Sequence, residues 1–83
     1  METTESFAKR VEEQTGVSLR DIPVREVGAD GKGLGGTIFC ARTAPDGIRE
    51  LVMSDTYPDD RDEETGAELW NPVPSNFVLC RLV

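Results

Sequence analysis

The chain contains no histidine. That absence removes the commonest general base and the commonest zinc ligand. Cysteine is scarce: Cys40 and Cys80 stand alone, with no Cys-x-x-Cys pair. A zinc site built on them would have to recruit carboxylates, outside the usual ligand sets. No metal ligand and no cofactor-binding residue is therefore assigned. A nucleophilic cysteine would have no imidazole beside it and no nearby lysine to lower its pKa. Both thiols read as small buried hydrophobes. They could lie close together if their strands were neighbours, but a disulfide would need an oxidising compartment.

Positive charge is also short. Nine basic residues, seven of them arginine, face sixteen acidic ones, for a net charge of −7. Direct nucleic-acid binding needs a basic face to neutralise phosphates, so that class is excluded. Docking on anionic lipid is excluded on the same ground. No apolar run approaches membrane-spanning length, and Met1–Ser6 has neither the basic nor the apolar region of a secretory signal. A cytoplasmic location with reduced thiols is the expectation. An acidic chain of this kind is expected to meet a basic protein surface, with electrostatics steering the encounter.

The chain of 83 residues makes one small domain, 1–83, with a thin core. Residues 4–15 carry a helical pattern. Thr3 or Thr4 can cap it, Glu5 suits the positive end of its dipole, and Phe7 and Val11 form a narrow apolar stripe. Gly16 follows at the position of a left-handed cap. Strands are expected near 22–27, 37–42, 48–54 and 76–83. Pro23 lacks a donor, so the first of these should lie at an edge or be broken. Thr43–Gly47 is a turn that joins the second and third into a hairpin. The last is apolar on both faces except at Arg81, which points to a central position, or to one face covered by the helix and the other by the acidic loop. The predicted class is α+β: one N-terminal helix packed on a small antiparallel sheet of three to four strands. Phe7, Val11, Leu19, Ile38, Cys40, Leu51, Met53, Phe77 and Leu79 are the expected core.

Two loops stand out. The Gly-rich loop 28–36 holds five glycines and contains GKGLGG at Gly31–Gly36. A dinucleotide fingerprint needs a helix directly after it, and a strand follows here. The setting is similar to the phosphate-covering loop of protein kinases, with Ile38 near the usual valine. The chain has no H-R-D or D-F-G triplet to complete that resemblance. The remaining expectation is a mobile connection that orders on a partner.

The acidic loop 55–74 places Asp59, Asp60, Asp62, Glu63, Glu64 and Glu68 in a ten-residue run, flanked by Tyr57 and Trp70. Counted from Asp60, Thr65 falls on the glycine position of a calcium loop and Asn71 on the closing glutamate, so that register fails twice. A solvated loop, with one helical turn from Asp59 to Thr65, is the plain alternative. Carboxylates at this density can also engage Lys and Arg through charge-assisted hydrogen bonds, and flanking aromatics are enriched in binding hot spots.

No catalytic constellation is present, and an enzyme is not expected. The expected function is a non-enzymatic interaction module or inhibitor that binds a basic surface of a macromolecular partner. One concrete form occupies the nucleic-acid site of a defence or nucleic-acid-handling protein; small phage anti-defence and immunity-type proteins often share this size and charge. The alternatives are a calcium- or ligand-binding module using the acidic loop, and a small assembly subunit in which strand 77–83 pairs across an interface. The sequence leaves the oligomeric state open.

Overall fold

The computed structural model describes residues 2–70, 74 and 76–83. Asn71–Val73, near the end of the acidic loop, lie outside the described residues. Helix α1 spans Thr4–Thr15, as its sequence signals predict. The Thr3 hydroxyl accepts from the Ser6 N–H at 3.1 Å, satisfying one donor that the first turn leaves unpaired. Gly16 ends the helix at φ 75°, with its N–H on the Glu12 carbonyl at 2.9 Å. Phe7 and Val11 are fully buried. Burying a side chain of this kind contributes about 1.5–3 kcal/mol.

A 3-10 turn at Leu19–Asp21 leads to strand β1, Val24–Val27. Strands β2 (Thr37–Thr43) and β3 (Arg49–Ser54) form the expected hairpin. Its turn is set by Gly47 at φ 87° and by the Asp46 carboxylate, which accepts from the Ile48 N–H at 3.0 Å. Two short strands, β4 (Asp60–Arg61) and β5 (Glu68–Leu69), pair with each other. Strand β6, Phe77–Leu82, completes a four-stranded sheet in the order β1-β6-β3-β2.

The class is α+β, with one correction: the sheet is mixed. β1 runs parallel to β6, while β6–β3 and β3–β2 are antiparallel. Side-chain alternation does not encode strand direction, and the long connection between β1 and β6 gives the chain room to return in the same sense. The edge position foreseen for the strand after Pro23 and the central position of the last strand both hold. Both sides of β6 are taken by β1 and β3, so this strand cannot pair across a subunit interface as the assembly alternative required.

Each sheet face has its own cluster. Under α1, Phe7 and Val11 meet Ile22, Cys40, Val52, Phe77 and Leu79. On the opposite face Leu51, Met53 and Cys80 are buried, with Leu34 of the Gly-rich loop packed against them. That loop therefore covers the face that has no helix. Its closing residue, Gly36, has φ 97°, and a Cβ there would lie 1.9 Å from the Ser54 carbonyl oxygen. Gly36 serves a close backbone approach, and the loop needs no partner to bring Leu34 onto the core.

Two expectations are revised here. Cys40 and Cys80 sit in different clusters on strands separated by β3, so they do not approach each other. Burial pushes both thiols above their ordinary pKa. Ile38 is 54% exposed rather than core. A β-bulge between Ile38 and Cys40 inserts Phe39 as an extra residue and breaks the alternation on which the expectation rested.

Charged groups gather at one end of the sheet. Arg42 and Glu50 form a buried ion pair at 2.8 Å. Arg42 also donates to the Glu2 carbonyl at 3.2 Å and lies over the Phe7 ring, 4.6 Å from its centroid. Arg81 Nε is 3.1 Å from the other Glu50 oxygen, a charge contact without an aligned hydrogen bond, and its guanidinium also pairs with Asp46. Arg10 donates to the Ala41 carbonyl at 2.7 Å, and the Glu2 N–H donates to the Thr43 carbonyl at 3.3 Å. These two bonds occupy outward backbone acceptors on edge strand β2, where an unpaired strand would invite association.

Candidate functional site

The acidic run folds as a small hairpin rather than the expected helical turn. The Asp59 N–H donates to the Leu69 carbonyl and the Asp62 N–H to the Ala67 carbonyl, each at 2.8 Å. Asp62 builds the tip. Its carboxylate accepts from the Glu64 N–H at 2.8 Å and the Thr65 N–H at 3.1 Å. Those bonds stabilise its charged form and hold its pKa below the ordinary aspartate value. The Gly66 N–H returns to the Asp62 carbonyl at 2.8 Å, with Gly66 at φ 75°. Aspartate favours such self-capped turns and glycine accepts positive φ.

Arg61 is the one cation inside the run. It donates to the Gly66 carbonyl at 2.9 Å and lies 3.6 Å from Glu68. This cross-strand pair offsets like-charge repulsion within the ribbon. The Asp60 carboxylate accepts from the neighbouring Arg61 N–H at 2.8 Å. Asp59, Glu63 and Glu64 are exposed and have no ion pair among the described residues.

The base of the hairpin is aromatic. Trp70 is half-buried and stacks on Phe39, centroids 5.7 Å apart, and Phe39 meets Phe77 edge-on at 5.1 Å. Phe77 belongs to the cluster under α1. A line of three rings thus ties the hairpin to the core. Thr37 fixes the entry from the other side, its hydroxyl donating to the Thr56 carbonyl at 3.0 Å.

The eight residues singled out from the sequence now separate by role. Asp59, Asp60, Glu63 and Glu64 present carboxylates to solvent. Asp62 is committed to the turn and Glu68 to Arg61. Trp70 holds the base, and Tyr57, at 69% exposed, is free to contact a partner. Sequence reasoning missed Phe39, hidden in the bulge, and Leu69, which is 46% exposed beside the carboxylates. It also passed over Arg61, whose position inside a run of acids was the available sign of a ribbon.

Among the described residues, no three Cys, Asp or Glu side chains come together in a way that could hold a metal ion. The exposed carboxylates can instead accept hydrogen bonds from cationic side chains. No helix among the described residues is long and apolar enough to cross a membrane. No protein-family model, curated protein or solved structure matches the chain.

Proposed function

We propose that this domain is a non-enzymatic interaction module that binds a basic surface of a macromolecular partner through its acidic hairpin. The observation that carries this is the division of labour within the hairpin. One part of it (Asp62, Arg61 with Glu68, Trp70 on Phe39) is spent on its own shape. The rest (Asp59, Asp60, Glu63, Glu64) is exposed, next to the exposed side chains of Tyr57 and Leu69. A fixed frame lowers the ordering cost of binding, and aromatic or apolar anchors among charges are the usual make-up of a hot spot. In one concrete form the carboxylates stand in for phosphates and block the nucleic-acid site of a DNA- or RNA-handling protein, with action in the cytoplasm.

The test is affinity capture from an extract of the native host at low and high salt. Wild-type bait is compared with the variant D59N/D60N/E63Q/E64Q, which spares Asp62 and Glu68. The expected result is a basic protein held by wild type at low salt, released by high salt and lost with the variant. Equal retention by both baits would overturn the proposal.

A further inference from the structure

A second feature lies at the foot of the hairpin and was not visible in the sequence. A hollow of about 470 Å³ opens between the 3-10 turn and the ends of β3 and β6. Its inner wall is apolar: Ile22 and Phe77 are buried there, with half-buried Val17 beside them. Its exposed lining is Asp21, Pro23, Asp55 and Asn76. Phe77 is also the last ring of the aromatic line from Trp70, so the hollow and the hairpin share a foundation. The Leu79 N–H bonds to the Pro23 carbonyl at 2.8 Å, which fixes the wall to the sheet.

We propose that this hollow receives one long cationic side chain, lysine or arginine, presented by the basic partner. The inference rests on the hairpin being a docking element and names the anchor that would enter next to it. An apolar wall with carboxylates at the rim matches the two-part chemistry of these side chains, a methylene stem under a charged head. Neither Asp21 nor Asp55 has a hydrogen-bonded or ion-paired side-chain partner among the described residues, so both charges are free to meet an incoming cation. A calcium ion would need six to eight oxygen ligands and no apolar wall. Another hollow, about 720 Å³ between α1 and the 3-10 turn, is lined by Lys9 and Arg20 as well as Glu12 and Glu13, and it selects no charge.

The test is an amide chemical-shift titration of the full chain with Nα-acetyl-arginine amide, and with Nα-acetyl-norleucine amide as the uncharged control. The expected result is saturable shifts at Asp21, Ile22, Asp55 and Asn76 with the arginine probe and none with the norleucine probe. D21N/D55N raises the dissociation constant about tenfold or more, while D59N/D60N/E63Q/E64Q changes it less than about twofold. Both sets of substitutions fall on exposed positions, and dispersion of the same spectra confirms that each variant is folded. Shifts confined to residues 59–68, affinity unchanged in D21N/D55N, or no saturable shift up to the solubility limit of the probe would each overturn the inference. The hairpin proposal fails separately, through the capture experiment.

Discussion

The indole of Trp70 stacks on the ring of Phe39 with centroids 5.7 Å apart and planes 25° from parallel. Through Phe39 and Phe77 this contact joins an acidic ribbon of four paired residues to the core under α1. Two-stranded hairpins are marginal by themselves in water, so the ribbon's shape depends on its base.

Trp70→Ala is expected to loosen the hairpin before it unfolds the domain. Aromatic pairs of this geometry contribute about 0.5–1.5 kcal/mol beyond their buried area. Hydrogen exchange at the Asp59 and Asp62 amides should accelerate, while the amides of β3 and β6 keep most of their protection. Trp70→Phe should restore slow exchange. Uniform acceleration across sheet and hairpin would show that Trp70 is ordinary core.

Gly36 and Gly35 make a paired test of the Gly-rich loop. A Cβ at Gly36 collides with the Ser54 carbonyl and the residue holds positive φ, whereas a Cβ at Gly35 meets nothing within 4 Å. Gly36→Ala should cost more than about 3 kcal/mol by denaturant melt, the range of strained backbone plus a steric clash. Gly35→Ala should stay within about 0.5 kcal/mol of wild type. Equal effects would remove the close approach as the reason for glycine there.

Glu50 sits between Arg42 and Arg81. Glu50→Ala leaves Arg42 buried with its charge uncompensated, a loss of about 3–5 kcal/mol. The double variant Arg42→Met with Glu50→Leu should recover most of that loss, because apolar replacement of a buried pair is often neutral. A double variant no more stable than Glu50→Ala alone would contradict this account.

Acid should weaken the fold, and only in its own range. Glu2 is held below the usual carboxylate pKa by the Arg10 guanidinium and the Ser6 hydroxyl. Asp46 is lowered by the Ile48 N–H and by Arg81, and Asp62 by the Thr65 and Glu64 N–H groups. A carboxyl whose folded pKa is depressed adds stability that is complete above its unfolded pKa. That stability is lost as pH falls through the folded value. With no histidine to titrate, the urea midpoint should be flat from about pH 7 to pH 5 and fall below about pH 4. A midpoint that rises on acidification below about pH 4 would reverse the assigned signs.

How far the sequence could be read follows from which features are local. The helix was legible because Thr3, the Phe7–Val11 stripe and Gly16 are signals within one stretch of chain. The β2–β3 hairpin was legible because Ala44–Gly47 carries its turn chemistry. The parallel pairing of β1 with β6 was not, since alternation gives faces and not directions. Ile38 was misplaced because a one-residue bulge reverses faces without marking itself in composition. The acidic run itself is plain in the sequence, but its internal order was hidden. Asp62 as a turn-former and Arg61 as a brace emerge only when β4 and β5 pair, and the role of Trp70 only when Phe39 is beside it. The hollow between Asp21 and Asp55 joins residues thirty-four positions apart, which no motif spans.

The central claim is that the exposed carboxylates of the hairpin bind a basic partner. Its most direct measurement is the salt dependence of affinity between the purified domain and the captured partner, for wild type and for D59N/D60N/E63Q/E64Q. The account predicts a dissociation constant at low salt about tenfold or more higher for the variant, and a flatter dependence of affinity on salt, because screened charge contacts have been removed. Identical affinity and identical salt slope for the two proteins would contradict it.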